Sequence, residues 1–134
     1  MAPAARGLLD TSVFIALESA RLIDTSELPD LSVVSPITIA ELQAGVLAAT
    51  DLDIRARRLK TLESIADVEV LTIDGDVAAA WARLRVHLAQ QGGRVNVNDL
   101  WIAATAITHR LPVITQDEDF DPLNGVAGLD VIHV

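Results

Sequence analysis

Four carboxylates stand where this chain could do chemistry. Asp10 directly follows the short apolar run Gly7-Leu8-Leu9, and Asp117 follows Val113-Ile114-Thr115-Gln116. Glu41 lies in Thr38-Ile39-Ala40-Glu41-Leu42, and Asp99 lies in Asn98-Asp99-Leu100-Trp101-Ile102. Both of the latter fall in the first turn of a segment with helical apolar spacing. If the apolar runs are parallel strands, such helices start at the same edge of the sheet, and the four acids face one crevice at the strands' carboxyl ends. Carboxylates gathered there repel one another, and their pKa values rise unless a cation is bound. Mg²⁺ or Mn²⁺ suits that role, through few carboxylates and several retained waters. Such a cation polarises a phosphoryl oxygen and lowers the pKa of water, the chemistry that phosphodiester hydrolysis needs.

Each acid also has an ordinary structural role open to it. Asp10 can cap a helix that begins at Thr11. Thr38 and Glu41 fit a capping box, with Thr38 as the cap and Glu41 reaching back. Asp99 can favour a helix dipole. Asp117, Asp119 and Asp121 can be turn residues, and Asp119 competes with Asp117 for the fourth place in the cluster. Other catalytic classes lack parts. The chain has no cysteine, so thiol nucleophiles, disulfides and thiolate metal sites are excluded. His87, His109 and His133 are far apart, without ligand spacing or a partner pattern. Any metal is therefore expected on oxygen ligands.

The elements that must position these acids alternate in type. The chain has 134 residues, 51% hydrophobic and 22% charged, which fits one domain over 1–134 with a real core. Strands are expected at Gly7–Asp10, Leu31–Ser35, Val68–Thr72, Leu111–Thr115 and Leu129–Val134. Helices are expected at Thr11–Ser19, Thr38–Ala49, Asp51–Ala66, Asp76–Gln91 and Asn98–His109. Gly92-Gly93 ends the longest of these. The helix after Asn98 is apolar nearly all round and belongs at the centre of a domain. The class is α/β, a mostly parallel sheet of about five strands sandwiched by helices.

Leu8-Leu9-Asp10-Thr11-Ser12, Thr38-Ile39-Ala40-Glu41-Leu42, Asn98-Asp99-Leu100-Trp101-Ile102-Ala103-Ala104 and Ile114-Thr115-Gln116-Asp117, in that order, resemble the PIN-domain ribonucleases. More narrowly, the chain resembles the VapC toxins of bacterial toxin–antitoxin pairs, over nearly its whole length. The resemblance implies a PIN-like fold. It implies that Asp10 and Asp99 are the principal metal-binding acids, that Glu41 completes the site and that Asp117 is the fourth acid. It also implies polar support from Thr11, Ser12 and Thr115. The implied activity is an endoribonuclease dependent on Mg²⁺ (or Mn²⁺) that cuts structured RNA, tRNA or rRNA, and so stops translation. The implied partners are a VapB-type antitoxin and a second copy in a homodimer, with DNA bound only through the antitoxin. In this family the early helices form the antitoxin groove, which points to the connector Ile23–Leu31 and to Phe14, Leu17, Leu42, Val46 and Leu47; packing the core is their ordinary alternative.

The net charge is −9, which argues against a general nucleic-acid coat. Positive charge is uneven: Arg55, Arg57, Arg58 and Lys60 fall within six residues and can follow phosphates or simply be solvated. Arg85 and Arg94 flank the approach to Asp99. Trp81 and Trp101 lie on apolar faces and are expected in the core, so base stacking is not the source of affinity. No leader or bilayer-spanning run is legible, and the cytoplasm is the expected location. A phosphoacceptor receiver domain would need a lysine after a late strand, and the only lysine is Lys60. A two-aspartate phosphatase would need an acid where Ser12 stands. A DNA-directed nuclease of this fold would carry added DNA-binding elements. The alternative function is a catalytically silent PIN-fold interaction module.

Overall fold

Strand β1 (Arg6–Leu9) is central because both of its faces are apolar. It pairs with β2 (Leu31–Val34) on one side and β4 (Val113–Thr115) on the other; β3 (Glu69–Val70) and β5 (Val131–His133) form the edges. The sheet order is β3-β2-β1-β4-β5, and every pairing is parallel. The structure, a computed structural model, describes residues 3–134; the first two residues of the expected 1–134 unit lie outside it.

Successive side chains of a strand point to opposite faces, so each central strand feeds two cores. Leu8, Val33 and Val113 enter one core, together with Val77, Leu84 and Leu88 of α4 (Gly75–Gln91) and Leu100 and Ala103 of α5 (Val97–Thr108). Leu9, Val34 and Ile114 enter the other, with Val13 and Phe14 of α1 (Thr11–Glu18) and with Ile65 at the end of α3 (Leu52–Ser64). Helix α2 (Pro36–Ala48) straddles both, Ile37 packing on the first core and Leu42 in the second. Truncating one of these fully buried aliphatics to Ala would cost about 2–5 kcal/mol. Gly7 lets β4 come close: a Cβ there would lie 2.8 Å from Ile114 Cγ1.

The chain leaves β1 for β2 in one direction, and β4 joins β1 from the other. A crevice opens above the carboxyl ends of strands at such a reversal. Asp10 follows β1 and Asp117 follows β4, so both acids stand at that crevice.

Several boundaries differ from expectation, each for a local reason. The capping box at Thr38 does not form. Ser35 caps α2 instead, its Oγ accepting the Ile37 N–H at 3.1 Å, and Pro36 takes the first helical position, where no N–H is needed. The second-last helix begins at Gly75 on an Asp74 cap, and α5 begins at Val97 on an Asn96 cap. Strand β3 shrinks to Glu69–Val70, an edge pair whose residues are both exposed. β4 begins at Val113, after Pro112, whose carbonyl accepts the Leu8 N–H at 2.9 Å. Among the described residues no helix is long and apolar enough to cross a membrane.

Candidate active site

Asp10 is 3% exposed and stands at the N-cap position of α1, its carbonyl accepting the Val13 N–H at 3.1 Å, but its side chain makes no cap hydrogen bond to that helix. Its Oδ2 instead accepts from Ser12 Oγ at 2.7 Å and from Thr115 Oγ1 at 3.0 Å. Each of those hydroxyls also accepts a backbone N–H, Ser12 from Gln116 and Thr115 from Asp117, both at 3.0 Å. A hydroxyl has one proton. With its acceptor side taken by an amide, each proton is directed at Asp10, and the 3.2 Å separation of the two hydroxyl oxygens is contact rather than a third bond. Burial pushes the Asp10 carboxyl up from its ordinary value, and the Ser12 and Thr115 hydroxyls pull it back down.

Glu41 is reached from α1. Thr11 Oγ1 donates to Glu41 Oε1 at 2.8 Å and lies 3.0 Å from the buried hydroxyl of Thr38. The one Thr11 proton faces both acceptors, the Thr38 hydroxyl at 3.0 Å and the Glu41 carboxylate at 2.8 Å, and the charged acceptor takes the shorter bond. The Thr38–Glu41 pair thus serves the crevice and not the start of its own helix. Asp99 stands three residues after the Asn96 cap, where its charge also suits the α5 dipole. Burial raises its carboxyl to about 7, with repulsion from Asp10, Asp119, Glu41 and Asp117 adding to that effect. Asp117 is raised by burial and by Asp10 and Asp119, against a lowering from Arg21.

The four expected acids, with Thr11 and Ser12, line one cavity of about 290 Å³, and Asp119 lines it as well. Both candidates for the fourth place are therefore present. Thr115 is fully buried beneath the cavity and acts on it through Asp10. Three further residues line it, Ile15, Arg21 and Asn96, and none of them is among the expected site residues. Asn96 carried a signal, since Asn before Val97-Asn98-Asp99 is a helix-cap pattern. Arg21 carried none: it arrives through a left-handed residue, Ala20, at the end of α1.

The basic residues read as RNA contacts are dispersed. Arg85 and Arg94 are exposed, and neither lines the acid cavity. Arg55 is exposed on α3. Arg58 donates to the Gly45 carbonyl at 2.7 Å and lines a neighbouring hollow with Glu41. Trp81 and Trp101 stack on each other, ring centres 5.1 Å apart, against the first core, as expected. No histidine lines the cavity; His133 pairs with Asp121 at 2.9 Å.

The acids supply only oxygen donors, and burial together with their mutual repulsion raises Asp99 to about 7. Such a set suits a hard cation. Among the described residues no three of these side chains are gathered as a ready ligand cage.

Comparison with known proteins places these features in a family. The sequence pattern of the PIN domain matches residues 7–125. The chain is 58% identical to Ribonuclease VapC5 of Mycobacterium tuberculosis, over 97% of this chain and 96% of that one. It is 43% identical to Ribonuclease VapC4 of the same organism, over 86% and 88%. Among solved structures, the crystal structure of VapBC-5, a member of the VapBC family of toxin–antitoxin systems from M. tuberculosis, superposes with a TM-score of 0.91. Sequence identity there is 55%, over 97% of this chain and 99% of that one.

Proposed function

The chain belongs to the PIN-domain family and within it to the VapC ribonucleases, and from that premise we propose that it is the toxin of a VapBC pair, an endoribonuclease that depends on a divalent cation. Its substrate is structured RNA, tRNA or rRNA, whose cleavage stops translation and growth. The observation that carries this reading is the cavity lined by Asp10, Glu41, Asp99 and Asp117, where burial and mutual repulsion raise Asp99 to about 7.

Asp10 and Asp99 would hold Mg²⁺ or Mn²⁺, with Glu41 and Asp117 completing the set. When bound, the cation supplies Lewis acidity at phosphorus and lowers the pKa of water. Ser12 and Thr115 hold Asp10 by two bonds to one oxygen, Oδ2, and oppose the rise that its burial causes. Thr11 holds Glu41 toward the cavity. No histidine or lysine in the cavity is placed to take a proton from a ribose 2′-hydroxyl. Water is the nucleophile, in-line at phosphorus, and the products carry 5′-phosphate and 3′-hydroxyl ends.

The structural relative is a VapBC assembly, which supports a VapB-type antitoxin as partner here. Of the residues weighed for that contact, Phe14 and Leu42 are buried in the core, whereas Leu17 and Leu47 are 61% and 78% exposed. The exposed pair remains for the antitoxin. A homodimer is the assembly proposed for the toxin itself, and operator DNA is engaged by the antitoxin. The test is incubation of total bacterial RNA with the purified, antitoxin-free chain in Mg²⁺, Mn²⁺ or EDTA, beside the Asp99→Asn variant. Cuts at a few sites that need both the cation and Asp99 support the reading. No cuts from folded protein with any cation overturn it.

A further inference from the structure

We infer that Arg21 is a substrate-positioning residue, its guanidinium taking a phosphate of the RNA strand that enters the acid cavity. The inference rests on the nuclease reading above. Five carboxylates line that cavity, and Arg21 is the one cation that lines it among the described residues. An RNA strand reaching the acids is a polyanion meeting like charge, and a cation at the rim offsets that repulsion. A guanidinium fits the purpose, since its planar fork matches two phosphate oxygens at once.

Two observations separate this role from simple neutralisation of the acids. First, Arg21 is exposed and is in no ion pair among the described residues. An arginine present to neutralise the cluster would close onto one of its carboxylates, whereas Arg21 keeps its donors free. It influences Asp117 without binding it.

Second, its backbone is held by the network that holds the catalytic acid. Ala20 adopts φ +56°, a conformation that an L residue with a Cβ adopts at a cost. The turn is closed by the Arg21 N–H, which donates to the Ala16 carbonyl at 2.9 Å. The next carbonyl, of Leu22, accepts from Gln116 Nε2 at 3.2 Å. The Gln116 side chain also reaches the Val134 carbonyl, and its N–H donates to Ser12 Oγ, which in turn bonds Asp10. The base of Arg21 is therefore tied to Asp10 through Gln116 and Ser12, while its charged end is left to a ligand.

The test uses the full chain, with bulk tRNA, a structured RNA of the class proposed above, for binding and total bacterial RNA for cleavage. Binding is measured in an Asp99→Asn background across a salt series, with Arg21, Arg21→Ala, Arg21→Gln and Arg21→Lys. Loss of one phosphate contact should weaken binding about tenfold for Ala and Gln and flatten the slope of log K against log salt by about 0.7. Arg21→Lys should keep most of that slope. With Asp99 restored, Arg21→Ala should raise KM about tenfold and leave kcat within about threefold. Unchanged KM and unchanged salt slope, in protein that still cuts RNA, overturn the assignment of Arg21 and leave the nuclease reading standing. A fall in kcat alone, or an Arg21→Lys salt slope as flat as that of Arg21→Ala, overturns it as well. A parent chain that neither binds nor cuts RNA overturns the nuclease reading and this inference together.

Discussion

The hydroxyl of Thr115 and the carboxylate of Asp10 meet across 3.0 Å, although 105 positions separate them in the chain. The Thr115 oxygen is also the acceptor for the Asp117 N–H at 3.0 Å. One threonine at the end of β4 thus fixes the acid that follows β1 and the backbone of the acid that follows β4. Ser12 repeats the arrangement with the Gln116 N–H. The crevice between the two strands is closed by these hydroxyls.

Thr115→Val keeps the shape and removes both bonds. A buried carboxylate then loses a donor and a partly buried amide loses its acceptor, so urea unfolding should show a loss of about 1–3 kcal/mol. Cation-dependent cleavage should fall about 10–100-fold, as when outer partners of metal ligands are removed. A loss in stability with full activity would show that the hydroxyl serves packing alone.

Glu41 and Ser35 should separate cleanly. Ser35→Ala removes the cap of α2 and should cost about 1 kcal/mol, with activity per folded molecule retained. Glu41→Gln removes a charge from the cavity and should change stability by less than about 0.5 kcal/mol. Its cleavage rate should nevertheless fall about 100-fold, as for loss of a charge that supports the reacting centre. Thermal unfolding and initial cleavage rates on the same preparations check both. The reverse pattern would return Glu41 to a helix-capping role.

Asp99 gives a pH dependence whose sign is fixed. Its folded pKa, about 7, lies above the ordinary value of 3.8, so between those values the folded chain keeps a proton that the unfolded chain has lost. Stability of the metal-free protein is therefore greatest below about pH 4 for this group and falls as pH rises through about 7. Asp99 is half-buried, and discounting for solvent screening leaves about 1–2 kcal/mol across that window. Asp10 and Asp117 are raised too and add in the same direction. Asp99→Asn should flatten the curve, and Mg²⁺ should raise Tm more at pH 8 than at pH 5. A metal-free Tm that climbs from pH 5 to pH 8 would contradict the repulsion described here.

Gly7 should be intolerant of any side chain. A Cβ would stand 2.8 Å from Ile114 Cγ1, and Gly7→Ala should cost about 1–3 kcal/mol by overpacking. Substrate KM should not move, because Gly7 lies at the opposite end of β1 from Asp10. A neutral Gly7→Ala in thermal unfolding would show that Ile114 yields freely.

Much of this was legible in the residues, because the signals were local and repeated. Leu8-Leu9, Val33-Val34 and Val113-Ile114 are apolar on both faces, which marks central parallel strands. Three such strands ending in polar residues located the crevice and, with it, Asp10 and Asp117. The start of α2 was misplaced because Thr38-Ile39-Ala40-Glu41 satisfies a capping box locally. A better cap, Ser35 followed by Pro36, lies three residues upstream and frees Thr38 and Glu41 to meet Thr11, a partner 30 positions away from Glu41. β3 shrank because an edge strand is paired on one side only. Arg21 was illegible, since its arrival depends on a left-handed alanine and on a glutamine side chain from beyond β4. The basic run Arg55–Lys60 stood out in the sequence, yet none of its members lines the acid cavity.

The most direct measurement is the chemistry of the cut ends. RNA cleaved by the purified chain in Mg²⁺ would be treated with a 5′-phosphate-dependent exonuclease and, separately, with a 3′-hydroxyl-dependent ligase, beside Asp99→Asn and EDTA controls. Ends that carry 5′-phosphate and 3′-hydroxyl, absent from both controls, are the expected result of water attacking phosphorus at the Asp10–Asp99 cluster. Ends that carry 2′,3′-cyclic phosphate, or cuts that persist in EDTA or without Asp99, would contradict it.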